Sequence, residues 1–309
     1  MNKKIYIAGH KGLVGSAIKR ELEKKGYKNL IFRTHSELDL TDSESVKNFF
    51  EQEHPDWVIL AAAKVGGIYA NDTYPVEFIL ENIKIQTNVI ENSYKVGVEK
   101  LLFLGSSCIY PCETPQPMKE EFLLTNKLEK TNEGYALAKI LGIKLCNAYN
   151  KEYGTNYISV MPCNLYGLND NYHVRNAHVI PMLIRKFHEA KINNDKEVVV
   201  WGTGTPRREF LNSADLAKAV VYLMENKSAE DIGEFINIGS GYDMKISEIA
   251  EIIKDIVGFN GEIVYDTSMP DGTMNKLLDV SKIKALGWMP EIDFVKGIKE
   301  VYQDFLNLN

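Results

Sequence analysis

Several things are missing from this chain, and each absence excludes a class of function. There is no cysteine framework: four cysteines stand at positions 108, 112, 146 and 163. Cys108 and Cys112 have no later Cys/His pair to complete a zinc site, so no metal is expected. There is no apolar run approaching the roughly 20 residues that a membrane helix needs. The first residues read as a strand rather than a cleavable signal, which makes the cytoplasm the expected compartment. There is no basic excess either. The 36 basic and 42 acidic side chains leave a formal charge of -6, so neither nucleic acid nor an anionic membrane is expected as partner. A local basic patch for a phosphorylated small molecule is compatible with that balance. Internal repeats and low-complexity tracts are absent. What is present is ordinary globular composition, 45% hydrophobic and 25% charged over 309 residues, enough for a large core in two unequal parts.

Strand-like and helical runs alternate. Short apolar runs cover Lys4–Ala8, Leu30–Phe32, Asp56–Leu60, Lys100–Gly105 and Asn156–Val160, and helical patterns cover Ser16–Lys25, Asp42–Glu53, Val76–Tyr94 and Gly134–Tyr149. This predicts an α/β fold: a doubly wound Rossmann-type parallel sheet with helices on both faces, plus a smaller mixed α/β substrate domain. The segment up to Pro75 reads as a loop, as does Cys112 to Thr131. After Gly167 the character changes, beginning with a polar loop from Asn169 to Asn176. Strands are expected at Glu197–Trp201, Arg208–Leu211 and Phe235–Gly239. Helices are expected from His178 to about His188, and at Ala214–Glu225, Lys245–Val257 and Ile292–Phe305, with a turn at Pro270-Asp271-Gly272. Residues 1–164 are the expected sheet domain and 165–309 mainly the substrate domain, with residues at about 207–225 able to pack back on the first.

The first strand runs into Gly9-His10-Lys11-Gly12-Leu13-Val14-Gly15 and then a helix, the context a dinucleotide site requires. Gly9 permits the tight turn, Gly12 the approach of pyrophosphate to backbone, and Gly15 close helix–strand contact, with phosphates on the helix N-terminus. The G-x-x-G-x-x-G spacing departs from G-x-G-x-x-G, so its place after the first strand carries the reading; glycines of an ordinary βα turn are the alternative. At the end of the second strand an acidic residue would receive the ribose 2′-hydroxyl of NAD. Here stands Arg33, with Lys11 and His35 near it, which suits a 2′-phosphate and points to NADP(H). Asp39 and Leu40 are placed for the adenine edge. Ala61, Ala62 and Ala63, after the third strand, let backbone approach a cofactor closely.

The run Lys100–Gly105 ends in Ser106, Ser107 and Cys108, and an open α/β sheet places its chemistry at the C-terminal edge of strands. One helix later come Tyr135 and Lys139, four apart and so on one helix face. The lysine charge is expected to favour the phenolate, lowering a pKa that starts near about 10. Ser106 then holds a substrate carbonyl while Tyr135 gives or takes its proton. That is carbonyl–alcohol redox chemistry. A Tyr-x-x-x-Lys pair alone is common in helices; combined with the glycine loop and the hydroxyl-bearing strand end it is specific.

With these features the chain resembles the extended short-chain dehydrogenase/reductase superfamily. Gly9–Ser16, Leu60–Gly67, Gly105–Pro111 and Met161–Gly167 further resemble the GDP-L-fucose synthase family, and the similarity covers most of the chain, densest from Ile5 to Arg208. The resemblance implies NADPH-dependent 3,5-epimerisation and 4-keto reduction of GDP-4-keto-6-deoxy-D-mannose to GDP-L-fucose. It implies Ser106, Tyr135 and Lys139 as the reductase triad, and Cys108 with His178 as the epimerisation pair. It further implies cofactor contacts from His10, Leu13, Val14, Tyr135, Lys139, Pro162, Asn164 and Leu165. Substrate contacts are implied from Ser107, Asn164, His178, Val179, Leu183, Lys186, Trp201, Arg208 and Lys282. A homodimer through the Val76–Tyr94 and Gly134–Tyr149 helices is implied too. Two positions depart from the family pattern: His35 stands in place of a second arginine near the 2′-phosphate, and Gly134 in place of a proline before the tyrosine.

The chemistry explains the extra pair. A C4 ketone acidifies the hydrogens on C3 and C5, and inversion needs a base on one face and an acid on the other. Cys108, with a reference pKa near about 8.5, and His178, near about 6.5, exchange protons close to neutrality. The expected assignment is Cys108 as base and His178 as acid, a polarity that sequence does not fix. Tyr135, helped by Lys139 and Ser106, would steady the enolate oxygen and then protonate O4. Taken singly, each residue has an ordinary alternative: Cys108 as a small buried hydrophobe, His178 as a packing or surface residue, Trp201 and Tyr166 as core aromatics. Three other functions stay open. One is a nucleotide-sugar 4-epimerase with tightly bound NAD, which needs neither Cys108 nor His178. Another is a dehydratase, which needs a carboxylate where Ser107 and Cys108 stand. The third is a non-catalytic NADP-binding regulator, which needs no triad.

Overall fold

The computed structural model describes residues 2–173, 177–269 and 271–308. Residues 174–176 of the expected polar loop, and Pro270 of the expected turn, lie outside these. The chain begins β1 (Ile5–Ala8), α1 (Leu13–Lys24), β2 (Leu30–Ile31), α2 (Ser43–Glu53), β3 (Trp57–Leu60), α3 (Ile68–Thr73), α4 (Pro75–Lys95) and β4 (Lys100–Leu104). It continues α5 (Glu133–Tyr153), β5 (Tyr157–Pro162), β6 (Asn164–Tyr166), α6 (Val179–Asn193), β7 (Glu197–Trp201), β8 (Arg207–Asn212) and α7 (Ser213–Asn226). Last come α8 (Ala229–Ile232), β9 (Ile236–Ile238), β10 (Asp243–Lys245), α9 (Ile246–Val257), β11 (Glu262–Asp266), β12 (Asn275–Lys276), α10 (Ser281–Ala285) and α11 (Phe294–Leu308).

Strands β1, β4 and β5 are buried at every position, as parallel strands covered on both faces must be. They belong to a six-stranded parallel sheet in the order β2-β1-β3-β4-β5-β9. Helices α1 and α7 form one packed pair and α4 and α5 another, the layers of a doubly wound sheet. The strand order reverses between β1 and β3, so the crevice beyond their C-terminal ends is the topological switch point. The main sheet recruits chain well past residue 164. The parts that return are α7 and β9, whereas β8, inside the expected 207–225 segment, stays in a second sheet.

That second sheet centres on β8, which pairs with β10 antiparallel and with β12 and β6 parallel; β7 and β11 form a separate parallel pair. A second core of Ile180, Leu183, Ile184, Phe187, Ile249, Ile253 and Ile298 lies here. The stretch before Pro75 is not all loop. It contains α3, whose first turn is tied down by Asn71, donating to the carbonyls of Gly66 and Gly67 at 2.8 and 3.0 Å. Among the described residues no helix is long and apolar enough to cross a membrane, and no His/Cys/Asp/Glu group could hold a metal ion.

Candidate active site

The crevice at the switch point is built from close backbone approaches. A Cβ on Gly15 would stand 2.1 Å from the Gly9 carbonyl oxygen, and one on Gly9, at φ +87°, would stand 2.8 Å from the Ala62 nitrogen. Only glycine fits there. Gly12 caps α1 without a side-chain bond, which leaves the helix's first N–H groups for an anion. Lys11 and Lys19 both depress the His10 pKa electrostatically, behind the larger effect of burial, and Lys19 lies 4.9 Å over the Phe32 ring. With Arg33 they make a basic edge beside the glycine loop. Arg33 is not free on that edge: it donates to Glu53 at 2.5 Å and to the Phe32 carbonyl at 2.8 Å. His35 is exposed, 3.9 Å from Asp39. Asp39 accepts from the Thr41 backbone and hydroxyl, which hold its carboxyl below the usual range, and Asn88 donates to the Leu40 carbonyl at 2.9 Å. The segment after Ala61, Ala62 and Ala63 is fixed by Asn82, bonded both ways to the Lys64 backbone at 3.0 Å. Lys19 was missed in the sequence because one lysine on a polar helix face carries no signal.

The hydroxyl and thiol follow β4. Helix α5 lies directly against that strand, since a Cβ on Gly142 would stand 2.3 Å from the Phe103 ring. Tyr135 and Lys139 are thereby carried to the strand's C-terminal end. Lys139 is buried, donates to the Leu104 carbonyl at 2.8 Å, and lies 5.0 Å over the Phe103 ring and 5.7 Å over that of Tyr135. Ser106 sits between the reacting groups. Its hydroxyl accepts from the Cys108 N–H at 3.4 Å, and it lies close enough to the Tyr135 phenol and the Cys108 thiol to oppose the rise in both their pKa values.

The protonation states differ from the expected ones. Burial pushes the Tyr135 phenol up, the Cys108 thiol adds to that, and only Ser106 opposes it. Lys139, 5.7 Å from the Tyr135 ring centroid, donates to the Leu104 carbonyl. Burial in turn lowers the Lys139 pKa to about 8. The phenol is therefore a neutral acid, the form that keto reduction requires. Burial also raises the Cys108 pKa, countered first by Lys276 and then by Ser106 and Lys139. His178 is the N-cap residue of α6, with no capping bond; its side chain reaches solvent, while the packed atoms around it lower its pKa by desolvation. Next to it the Ala177 carbonyl is 3.9 Å from the position of a Cβ on Gly67, so the His178 turn faces the loop that follows β3.

The remaining expected residues divide. Asn164 donates to the Glu209 carbonyl at 3.1 Å, while Pro162 and Leu165 flank it at the ends of β5 and β6. Ser107 is buried in the turn after Ser106. Val179 is half-buried at the start of α6. Trp201 is 56% exposed, with Lys186 5.5 Å over its ring and donating to the Val199 carbonyl at 2.9 Å. Arg208 donates to the Arg207 carbonyl at 2.8 Å, and its pKa is lowered by burial and raised by Asp271. Two expectations are corrected. Leu183 is at 0% exposure inside the second core, so its side chain offers no surface to a ligand. Lys282 donates to the Phe235 carbonyl at 3.1 Å, at the start of β9, the edge of the sheet opposite the crevice. A further lysine whose charge acts on the thiol is Lys276, paired in register with Arg208. It escaped the sequence reading because a two-residue strand has no periodicity to find.

Residues 5–239 match the NAD dependent epimerase/dehydratase family. The chain is 57% identical over 303 residues to a putative GDP-L-fucose synthase 2 from Arabidopsis thaliana, covering 98% of this chain and 92% of that one. It is 52% identical over 310 residues to the GDP-L-fucose synthase of Escherichia coli K12, covering 98% and 97%. Among solved structures, a GDP-mannoheptose C4 reductase from Campylobacter jejuni with NADP bound superposes with a TM-score of 0.91 at 41% identity, covering 99% and 98%.

Proposed function

We infer the reaction from one premise: the chain belongs to the NAD dependent epimerase/dehydratase family and, within it, to the GDP-L-fucose synthases. It inverts C3 and C5 of GDP-4-keto-6-deoxy-D-mannose and reduces C4, giving GDP-L-fucose. The observation that carries this reading is the Ser106 hydroxyl set close to both a neutral phenol and a thiol. One contact point at the substrate's C4 oxygen thus adjoins a group able to move protons at the neighbouring carbons. The glycine cradle, the uncapped start of α1 and the Lys11/Lys19/Arg33 edge fit NADP(H), which supplies hydride to C4 when bound.

Ser106 and Tyr135 hold the C4 oxygen and stabilise the negative charge that develops there as C3 or C5 loses its proton. Cys108 takes that proton, with Lys276 as the cation placed to favour its thiolate, and His178 returns one from the opposite face. In their resting forms, thiol and neutral imidazole, both groups lie one proton away from these roles. Tyr135 then protonates O4, with the Lys139 charge below it. Trp201, Lys186 and Arg208 hold the GDP portion, arginine meeting phosphate oxygens in pairs. Residues 1–164 with α7 and β9 act as the cofactor half, and the β8-centred sheet as the substrate half. A homodimer forms through α4 and α5. Val76 and Leu80 on one helix, and Leu137 and Leu141 on the other, are 68, 47, 42 and 40% exposed at i, i+4 spacing, an apolar face suited to a second copy.

The deciding experiment incubates the protein with GDP-4-keto-6-deoxy-D-mannose and NADPH, following cofactor oxidation by absorbance and the sugar by NMR. Stoichiometric oxidation with GDP-L-fucose as product is expected. Reduction without inversion would make the chain a C4 reductase, and no oxidation by folded protein would end the reading.

A further inference from the structure

A buried carboxylate must find donors or give up its charge. Glu209, on β8, is at 0% exposure, and none of the proposed steps uses its side chain. Its Oε1 accepts from the Gly241 N–H at 2.7 Å and from the Ser240 hydroxyl at 3.4 Å; its Oε2 accepts from the Leu278 N–H at 2.9 Å. These donors come from two separate segments. Ser240 and Gly241 follow β9, at the C-terminal edge of the main sheet, and Leu278 follows β12 in the second sheet. The space is made for the carboxylate: a Cβ on Gly239 would stand 2.2 Å from Oε1. Burial raises its pKa to about 7, and the donors pull the other way.

What Glu209 holds is a strand that cannot hold itself. β12 has two residues, aligned as Asn275 with Arg207 and Lys276 with Arg208, and pairing that short specifies register weakly. Its continuation is pinned on one side by Met118, whose N–H donates to Leu277 at 2.7 Å and whose carbonyl accepts from Asp279 at 2.8 Å. On the other side it is pinned by Glu209. Lys276, two residues before Leu278, interacts electrostatically with both Cys108 and Arg208.

We propose that Glu209 is a positioning residue for epimerisation: by tying Leu278 to Gly241 it fixes β12 in the register that brings the Lys276 charge to bear on Cys108. A carboxylate suits this because both oxygens accept and neither donates. Glutamine turns an amide N–H toward one of the two backbone N–H groups, so one of the two segments is released. The inference rests on the reaction proposed above.

The test compares the wild type with Glu209→Gln, Lys276→Met and the double variant, using GDP-4-keto-6-deoxy-D-mannose and NADPH. NMR reads the ratio of GDP-L-fucose to C4-reduced, uninverted sugar, a ratio that does not depend on how much enzyme is folded. Glu209→Gln is expected to lower the ratio by about tenfold, the scale of one buried charged hydrogen bond. Lys276→Met should move it the same way, and the double variant should go no lower than Lys276→Met. A wild-type ratio from folded Glu209→Gln overturns the proposal, and so do multiplying effects in the double variant. Should Glu209→Gln not fold, Ser240→Ala removes only the longest of the three bonds; a smaller shift in the same direction supports the role and an unchanged ratio overturns it. Wild-type protein that forms no GDP-L-fucose overturns the reaction itself, whereas wild-type fucose with unmoved variants overturns only the role of Glu209.

Discussion

The reducing and epimerising halves of the proposed site share Ser106 but are assembled in opposite ways. Ser106, Tyr135 and Lys139 come from the end of β4 and the start of α5, two elements in direct contact through Gly142 and Phe103. The largest influence opposing the effect of burial on the Cys108 thiol instead comes from Lys276, on a two-residue strand in the other sheet, and His178 comes from the N-cap of α6. The difference follows from what each group must do. A proton donor has to stay neutral, and burial alone achieves that, so local packing is enough. A buried base has to ionise, so cations must be brought to it; Lys139 comes with the local helix, and Lys276 comes by way of sheet register.

The largest effect should come from breaking the local half. Tyr135→Phe is expected to slow cofactor oxidation by roughly 10² to 10⁴-fold, the range for a lost general acid, with NADPH still bound in a fluorescence titration. Unimpaired oxidation would mean another group donates to O4. Next is Cys108→Ser, expected to cut deuterium uptake at C3 and C5 by about 10²-fold while C4 reduction continues. Equal loss of both would show that the halves are not separable. A third test uses pH. Burial lowers the Lys139 pKa to about 8, so its charge is present below that pH and lost above it. The reduction rate should fall as pH rises through about 8, and Lys139→Met should lack that limb. A descending limb that survives in Lys139→Met would assign it elsewhere.

The same contrast explains what was legible in the sequence. The glycine loop, the main-sheet strands and the Ser106/Tyr135/Lys139 set could be read because each is local: periodic apolar runs, a strand-turn-helix junction, an i, i+4 pair. Helix α3 was hidden because its turn is set by Asn71 reaching back to Gly66 and Gly67, a local side-chain bond that apolar periodicity does not register. Strands β6, β10 and β12 are two or three residues long, too short for alternation. Lys276 and Glu209 therefore lay beyond reach. The direction of the Tyr135 shift differs for a related reason: spacing places a lysine on the same face but does not say how strongly burial raises the phenol.

The smallest expected effect lies at the cofactor edge, where the assembly is again local. Arg33 is held by Glu53 at 2.5 Å, and Glu53 also pairs with Lys4 at 2.9 Å. A 2′-phosphate must compete with that carboxylate for the guanidinium. The pair is partly exposed, with side chains at 37 and 24%, so its strength is at most about 1 kcal/mol. Glu53→Gln should then tighten NADPH by no more than about fivefold and leave NADH unchanged, because only NADPH carries the competing charge. Arg33→Ala should do the reverse, weakening NADPH alone. Binding titrations with both cofactors decide it. If Glu53→Gln shifts NADPH and NADH equally, the carboxylate acts on the fold of the loop rather than on the charge of Arg33, and the basic edge must be attributed to Lys11 and Lys19.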